Sequence, residues 1–166
     1  LLEDPDCIHG RQYLSKRNIP EDWSAKFGLG CIPEGWDLLR THLNNKGFRD
    51  ADIERAGLAV QGSKGHYDRF RNRLVFPILM RDGQVLGFSA RALGNDPKEA
   101  KYINTPETPV YHKGRVLFGY HLAKEAIRST KTMLMVEGNV DVLRMHQYGF
   151  TNTVAPCGTS VGEDQL

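Results

Sequence analysis

The 166-residue sequence predicts an α+β fold: short helices first, an antiparallel hairpin sheet in the middle, and one β-α-β unit at the end. Three observations predict it. Apolar residues recur at helical spacing before residue 57, an Asp-Gly dipeptide at Asp82-Gly83 separates two β-rich runs, and a strand-helix-strand pattern occupies residues 132–155. A composition of 40% hydrophobic and 25% charged residues excludes collagen, coiled coil and bulk disorder.

Within residues 8–57, Trp36, Leu39 and Leu43 fall on one helical face, and Asp50 is placed to cap a segment, Ala51–Ala56, that stops at Gly57. Trp23 and Trp36 read as core anchors of this part. Helices this short gain little alone and need packing partners. Leu74–Met80 and Val85–Arg91 flank Arg81-Asp82-Gly83, a hairpin signal. Pro77 cannot donate to a ladder, so its strand is expected at an edge or bulged there. Residues 92–114 hold Gly94, Pro97, Pro106, Pro109 and Gly114 and read as one long loop, which in a compact domain is functional or disordered. Leu122, Ala123, Ala126 and Ile127 then share a helical face. Thr132–Val136, Val140–Tyr148 and Thr153–Ala155 follow as strand, helix and strand, which implies a parallel pair with a right-handed crossover.

The formal charge of +2 is too small to announce a nucleic-acid partner, but it is unevenly spread. Residues 64–115 carry ten basic and five acidic side chains, between flanks in which acidic residues outnumber basic ones. Such a stretch is either solvated surface or a binding face. No signal peptide is visible, and the longest apolar runs fall far short of the roughly 20 residues a membrane span needs. Cys7, Cys31 and Cys157 are an odd number at wide spacing, which argues against a disulfide framework and suits a reducing cytoplasm.

Chemistry concentrates at two places. Met133–Val136 runs into Glu137-Gly138-Asn139-Val140-Asp141. Ligands of parallel sheets bind beyond the carboxyl ends of strands, where Glu137 falls. Gly138 permits the turn, Asn139 is a good N-cap, and Asp141 lies in the first helical turn. Two carboxylates there suit a hard divalent cation that keeps coordination sites for phosphate oxygens; the helix dipole alone also favours acids at that position. Gly158–Gly162 resembles a small anion nest but lacks a Walker lysine, and a plain turn is the favoured reading.

The second place is the basic stretch. If Tyr67–Arg73 is extended, Arg69, Arg71 and Arg73 share one face and Phe70 takes the other. Arg91 ends the second hairpin strand, and Lys101, Tyr102, Asn104 and Lys113 border the proline-rich loop. Cations track a phosphate backbone and a ring stacks a base, so this is the vocabulary of single-strand recognition. The histidines His42, His66, His121 and His146 have no partners at metal-ligand spacing and read as packing residues, as does Cys7-x-His9.

In order, Tyr67–Ile78 (YDRFRNRLVFPI), Gly87–Arg91 (GFSAR), Lys101–Gly114 (KYINTPETPVYHKG), Leu117–Ala123 (LFGYHLA) and Val136–Leu143 (VEGNVDVL) resemble bacterial DnaG-type DNA primases. YLSKRNI and GCIPEGWDLL near the start also look like the opening of that family's polymerase domain. The VEGNVDV run looks like the first motif of a Toprim module. The resemblance implies two parts: residues 1–118, the N-terminal subdomain of the catalytic core, and residues 119–166, a truncated Toprim module. It implies an RNA primer synthase that joins ribonucleoside triphosphates on a single-stranded DNA template with Mg²⁺ or Mn²⁺. Glu137 and Asp141 would be the catalytic and metal-binding carboxylates. Arg69, Arg71, Arg91, Lys101, Tyr102, Asn104 and Lys113 would line the groove for template, primer or nucleotide.

The family's later Asp-x-Asp does not follow Asp141, and its upstream zinc ribbon and C-terminal helicase-binding region are missing. The sequence is therefore expected to be a fragment of a longer, cytoplasmic, nucleoid-associated monomer, with zinc confined to the missing N-terminal domain and the replicative helicase met through the missing C-terminal region. The fragment alone is expected to be inactive. Two alternatives stay open: a Toprim topoisomerase or nuclease fragment, and a module that only binds single-stranded nucleic acid.

Overall fold

The computed structural model describes residues 2, 4–94 and 96–158, so Thr159–Gly162 of the possible anion nest lie outside the described residues. After a 3-10 turn at Pro5–Cys7, the first third supplies four short helices: α1 (Ile8–Lys16), α2 (Glu21–Lys26), α3 (Leu38–Asn45) and α4 (Asp50–Arg55). A short strand, β1 (Gly30–Ile32), separates α2 from α3. The middle holds β2 (Ala59–Gly62), β3 (Gly65–Asp68), β4 (Arg73–Leu79), β5 (Val85–Ala92) and β6 (Tyr102–Asn104). The last part holds β7 (Leu117–Phe118), α5 (Tyr120–Thr130), β8 (Leu134–Met135), α6 (Asn139–Gln147) and β9 (Thr153–Pro156). The observed class is mixed helix and strand, as the sequence predicts.

Three sheets form. One is antiparallel in the order β1-β4-β5-β6, one is the β2-β3 ribbon, and one has the order β7-β9-β8 with β8 parallel to β9. The Asp82-Gly83 turn closes the β4–β5 hairpin, with Gly83 at φ +90° where only glycine sits without strain. Pro77 is tolerated because β1 pairs only as far as Val75, leaving β4 locally an edge, and the ladder is irregular at Ile78/Leu79. Residues 92–114 are not one loop: β6 pairs with β5 from Ser89 to Arg91, and a 3-10 turn covers Lys113–Arg115.

Helix boundaries differ by one residue from the expected caps. Arg49, not Asp50, is the N-cap of α4, and Gly138, not Asn139, is the N-cap of α6. Asp50 instead accepts hydrogen bonds from Arg40 and Asn44 of α3, so the acid joins two helices rather than starting one. Trp36 precedes α3 and is 68% exposed, which overturns its reading as a core anchor; Trp23 packs half-buried at the margin of the core.

That core runs through the molecule. Leu14, Phe27, Leu74, Phe76, Phe118, Val142 and Leu143 belong to one cluster contributed by the helices, the four-stranded sheet and the terminal unit. Burying such side chains, at roughly 1.5–3 kcal/mol each, is what holds helices too short to persist alone. The three cysteines are free and buried. No helix among the described residues is long and apolar enough to cross a membrane.

Two core-facing histidines give the fold a pH dependence. His146 bonds through Nε2 to the Thr153 carbonyl at 2.8 Å, and both it and His121 meet Phe27 edge-on. Burial holds both imidazoles below their usual value of 6.5. On acidification the unfolded chain takes up these protons first, so stability is full above pH 6.5 and is lost as pH falls through the depressed folded-state values. The melting temperature is expected to fall between neutrality and mildly acidic pH, and His121→Phe is expected to flatten that slope in thermal scans.

Candidate nucleic-acid interface and carboxylate edge

Alternation along the strands decides which cations meet. Leu74, Arg91 and Tyr102 are cross-strand partners, and Ser89 faces Asn104, so Ser89, Arg91, Tyr102 and Asn104 share one face of the four-stranded sheet. Ile103 points the other way and packs with Phe70, Val75 and Ala90. The Arg91 guanidinium lies 3.9 Å from the centroid of Tyr13, and Arg17 sits 5.5 Å from the same ring. Tyr102 is 42% exposed, and burial of its hydroxyl next to Tyr13 pushes its pKa up to about 12. Lys101, immediately before it, is exposed. Tyr13 and Arg17 thus join the predicted residues Arg91, Lys101 and Tyr102. Sequence reasoning missed both, since Arg91, which joins them at the Tyr13 ring, lies more than 70 residues away.

The expected row of Arg69, Arg71 and Arg73 does not form. β3 ends at Asp68, Asn72 adopts a left-handed φ of 49°, and the three side chains diverge. Arg69 Nε donates to the Asn104 carbonyl at 3.3 Å. Arg71 stacks over Trp36 at 4.6 Å and over Tyr67 at 5.1 Å, with the two rings edge-to-face. Arg73 is buried and paired with Glu99. Phe70 is buried, but it packs with Val75 and Ala90 on the sheet face that Arg73 also takes, so the turn at Asn72 cancels the expected alternation between them.

Exposed Trp36, braced by Tyr67 and Arg71, is an aromatic-cation platform of the kind on which bases stack. Its signal in the sequence was the pairing of Trp36 with the Tyr67–Arg71 run, which only the fold brings together. The platform is held by Asp68. Its N–H donates to the Trp36 carbonyl at 2.7 Å, its carboxylate accepts from Leu39 N at 2.7 Å and Arg40 N at 2.8 Å, and its carbonyl accepts from Arg71 Nη1. Burial raises the pKa of this carboxyl against the pull of the two N–H donors. Lys113 lies across the Pro106–Gly114 turn, its N–H donating to Glu107 Oε1 at 3.1 Å.

Glu137 and Asp141 stand at the other part of the site. Extending the β8–β9 register from the Met135–Val154 pair sets Glu137 level with Pro156, beside the carboxyl end of β9. Asp141 is in the first turn of α6, and a Cβ added to Gly138 would meet its Oδ2 at 3.0 Å, so glycine leaves the carboxylate room over the turn. Both acids are exposed, and among the described residues neither has a hydrogen-bond or ion-pair partner. Two unengaged carboxylates fit a hard cation that takes one or two protein oxygens and fills its shell with water and phosphate. No cluster of three His, Cys, Asp or Glu side chains suitable for a metal occurs among the described residues.

A hydrogen bond joins the two regions. Asn104 Nδ2 donates to the carbonyl of Cys157, at the end of β9 beside the carboxylate edge. Asn104 therefore serves as a tie between sheets, with its Oδ1 buried and unpartnered. By contrast, a cleft of about 850 Å³, lined by residues that include Met80, Arg81, Tyr120 and Met133, opens at the amino end of β8 and contains none of the predicted site residues.

Residues 1–124 match the DNA primase catalytic core, N-terminal domain family. The chain is 47% identical over 166 residues to the DNA primase of Mycolicibacterium smegmatis, covering 99% of this chain and 26% of that protein. It superposes with a TM-score of 0.94 and 46% identity on the RNA polymerase domain of Mycobacterium tuberculosis primase DnaG in complex with double-stranded DNA, covering 99% of this chain and 52% of that one. A DnaG primase catalytic domain bound to single-stranded DNA matches with a TM-score of 0.83 and 40% identity, over 98% of this chain and 50% of that one. The chain thus spans about a quarter of the curated relatives' length. These matches are primases, so the topoisomerase or nuclease reading is not favoured. By motif order, fold and sequence identity, this chain belongs to the DNA primase catalytic core, N-terminal domain family.

Proposed function

We propose that this chain is the template-gripping part of a primer-synthesising RNA polymerase, together with the first portion of its metal-binding Toprim module. Residues 1–118 form the gripping subdomain, and residues 119–166 begin the module through the parallel β8-α6-β9 unit. The observation that carries this reading is the Asn104–Cys157 hydrogen bond, which ties β6, the strand that directly follows Lys101, to the end of β9 beside Glu137. Template bases stack on Trp36, while Arg71, Arg91 and Lys101 neutralise phosphates. Glu137 and Asp141 hold Mg²⁺ or Mn²⁺, which when bound supplies charge neutralisation for nucleotidyl transfer. This chain's own residues orient the strand and the incoming ribonucleoside triphosphate relative to that edge. The DNA found in complex with two of this chain's structural relatives supports the template partner.

Binding to labelled single-stranded DNA, titrated against salt, tests the grip. Affinity is expected to fall linearly on a log-log plot, by about 0.7 per phosphate neutralised. Trp36→Ala is expected to weaken binding by roughly 1–3 kcal/mol with the slope unchanged, since stacking carries no counterion. Arg71→Ala is expected to reduce the slope. Salt-independent binding, or an unaffected Trp36→Ala, sinks the assignment.

A further inference from the structure

We propose that Arg73 is a positioning residue for the nucleic-acid face: with Glu99 it braces, from behind the sheet, the loop that presents Lys101 and Tyr102. This rests on the reading that those two residues contact template or primer. Arg73 opens β4 opposite Ala92, and strand alternation turns it to the face away from Leu74, Arg91 and Tyr102. It is 4% exposed, a setting in which an arginine persists only when paired and hydrogen-bonded. Nη1 donates to the carbonyls of Ala90 at 3.4 Å and Ala100 at 3.0 Å, and Nη2 to Glu99 Oε1 at 2.5 Å. The chain is thereby pinned at the two residues immediately before Lys101.

Backbone bonds complete the brace. Ala92 N–H donates to the Lys101 carbonyl at 2.9 Å, and Leu93 N–H donates to the carbonyl of Asn72 at 3.0 Å. Only a planar fork reaches acceptors on a strand, a loop backbone and a carboxylate together; an ammonium is a point donor on a flexible stem. The arginine spent on this brace presents no charge to the strand. It acts through where it sets Lys101.

The test is a double-mutant cycle in the full-length protein, read as single-stranded DNA affinity by fluorescence anisotropy. Arg73→Lys and Glu99→Ala are each expected to weaken binding about 3- to 10-fold, and neither is expected to weaken it further once Lys101 is alanine. Glu99→Gln, which keeps an acceptor for Nη2, is expected to restore affinity to within about twofold. Losses that add to that of Lys101→Ala show a general structural role and overturn the brace, as do single variants that bind normally. If Arg73→Lys does not fold, Glu99→Ala at the loop surface carries the cycle alone. An unchanged affinity in Lys101→Ala overturns the nucleic-acid reading of that residue, and the positioning role with it.

Discussion

Glu137→Gln in the full-length protein is expected to cut primer synthesis by roughly 10²- to 10³-fold, the scale on which removing one preorganised charge acts. The amide keeps an oxygen but loses the negative charge that a hard divalent cation requires, and Glu137 is half of the carboxylate pair. The same change is expected to leave stability within about 0.5 kcal/mol, because the side chain is exposed and has no partner among the described residues. Primer synthesis assayed across a range of Mg²⁺ or Mn²⁺ concentrations, alongside thermal unfolding, separates these effects. Near-normal synthesis would falsify the metal role. Activity lost together with the fold would instead mark Glu137 as structural.

Asp68→Ala is expected to have the largest effect on stability, about 3 kcal/mol from two charge-assisted bonds at roughly 1.5 kcal/mol each. Asp68 is fully buried, and its carboxylate is the remote cap that satisfies Leu39 N and Arg40 N in the first turn of α3. Alanine leaves both donors without their acceptor at a part-buried position. At roughly 2–4 °C per kcal/mol for a chain of this size, the melting temperature should drop by about 6–12 °C. Asp68→Asn keeps one acceptor oxygen and should lose roughly half as much. Because the Asp68 backbone also holds Trp36 and Arg71, single-stranded DNA affinity should fall with stability in the alanine variant. A melting temperature within about 2 °C of the parent would show that water caps α3 instead.

Local signals in the sequence translated well where the physics is local. The Asp82-Gly83 hairpin, the helical face at Leu122–Ile127 and the strand-helix-strand order of residues 132–155 all appear in the fold. The expected caps were one residue off at α4 and α6, because the cap is decided by a single backbone torsion rather than by the side chain that most favours it. Trp36 was misread for a different reason. An aromatic within an apolar pattern normally points inward, yet here α3 begins after it and Asp68, from 29 residues beyond Leu39, ties down the turn that leaves the indole outside.

The basic stretch shows the division most clearly. Composition alone located the surplus of cations in residues 64–115, and motif order alone identified the family. Which of those cations are engaged inside the protein was settled by pairings across long stretches of chain. Arg73 is claimed by Glu99, 26 residues on; Arg91 is stacked on Tyr13 of the first helix; and Asn104 reaches Cys157, 53 residues away. Turn chemistry and periodicity are short-range, so the sequence by itself determined the short helices, the β4–β5 hairpin, the closing strand-helix-strand order and the inventory of chemical groups, but not β1, the β2–β3 ribbon or β6. Burial depends on what packs from far along the chain, so only the tertiary structure decided which arginines are scaffold, which tryptophan stays exposed, and that β6 is tied beside the carboxylate edge.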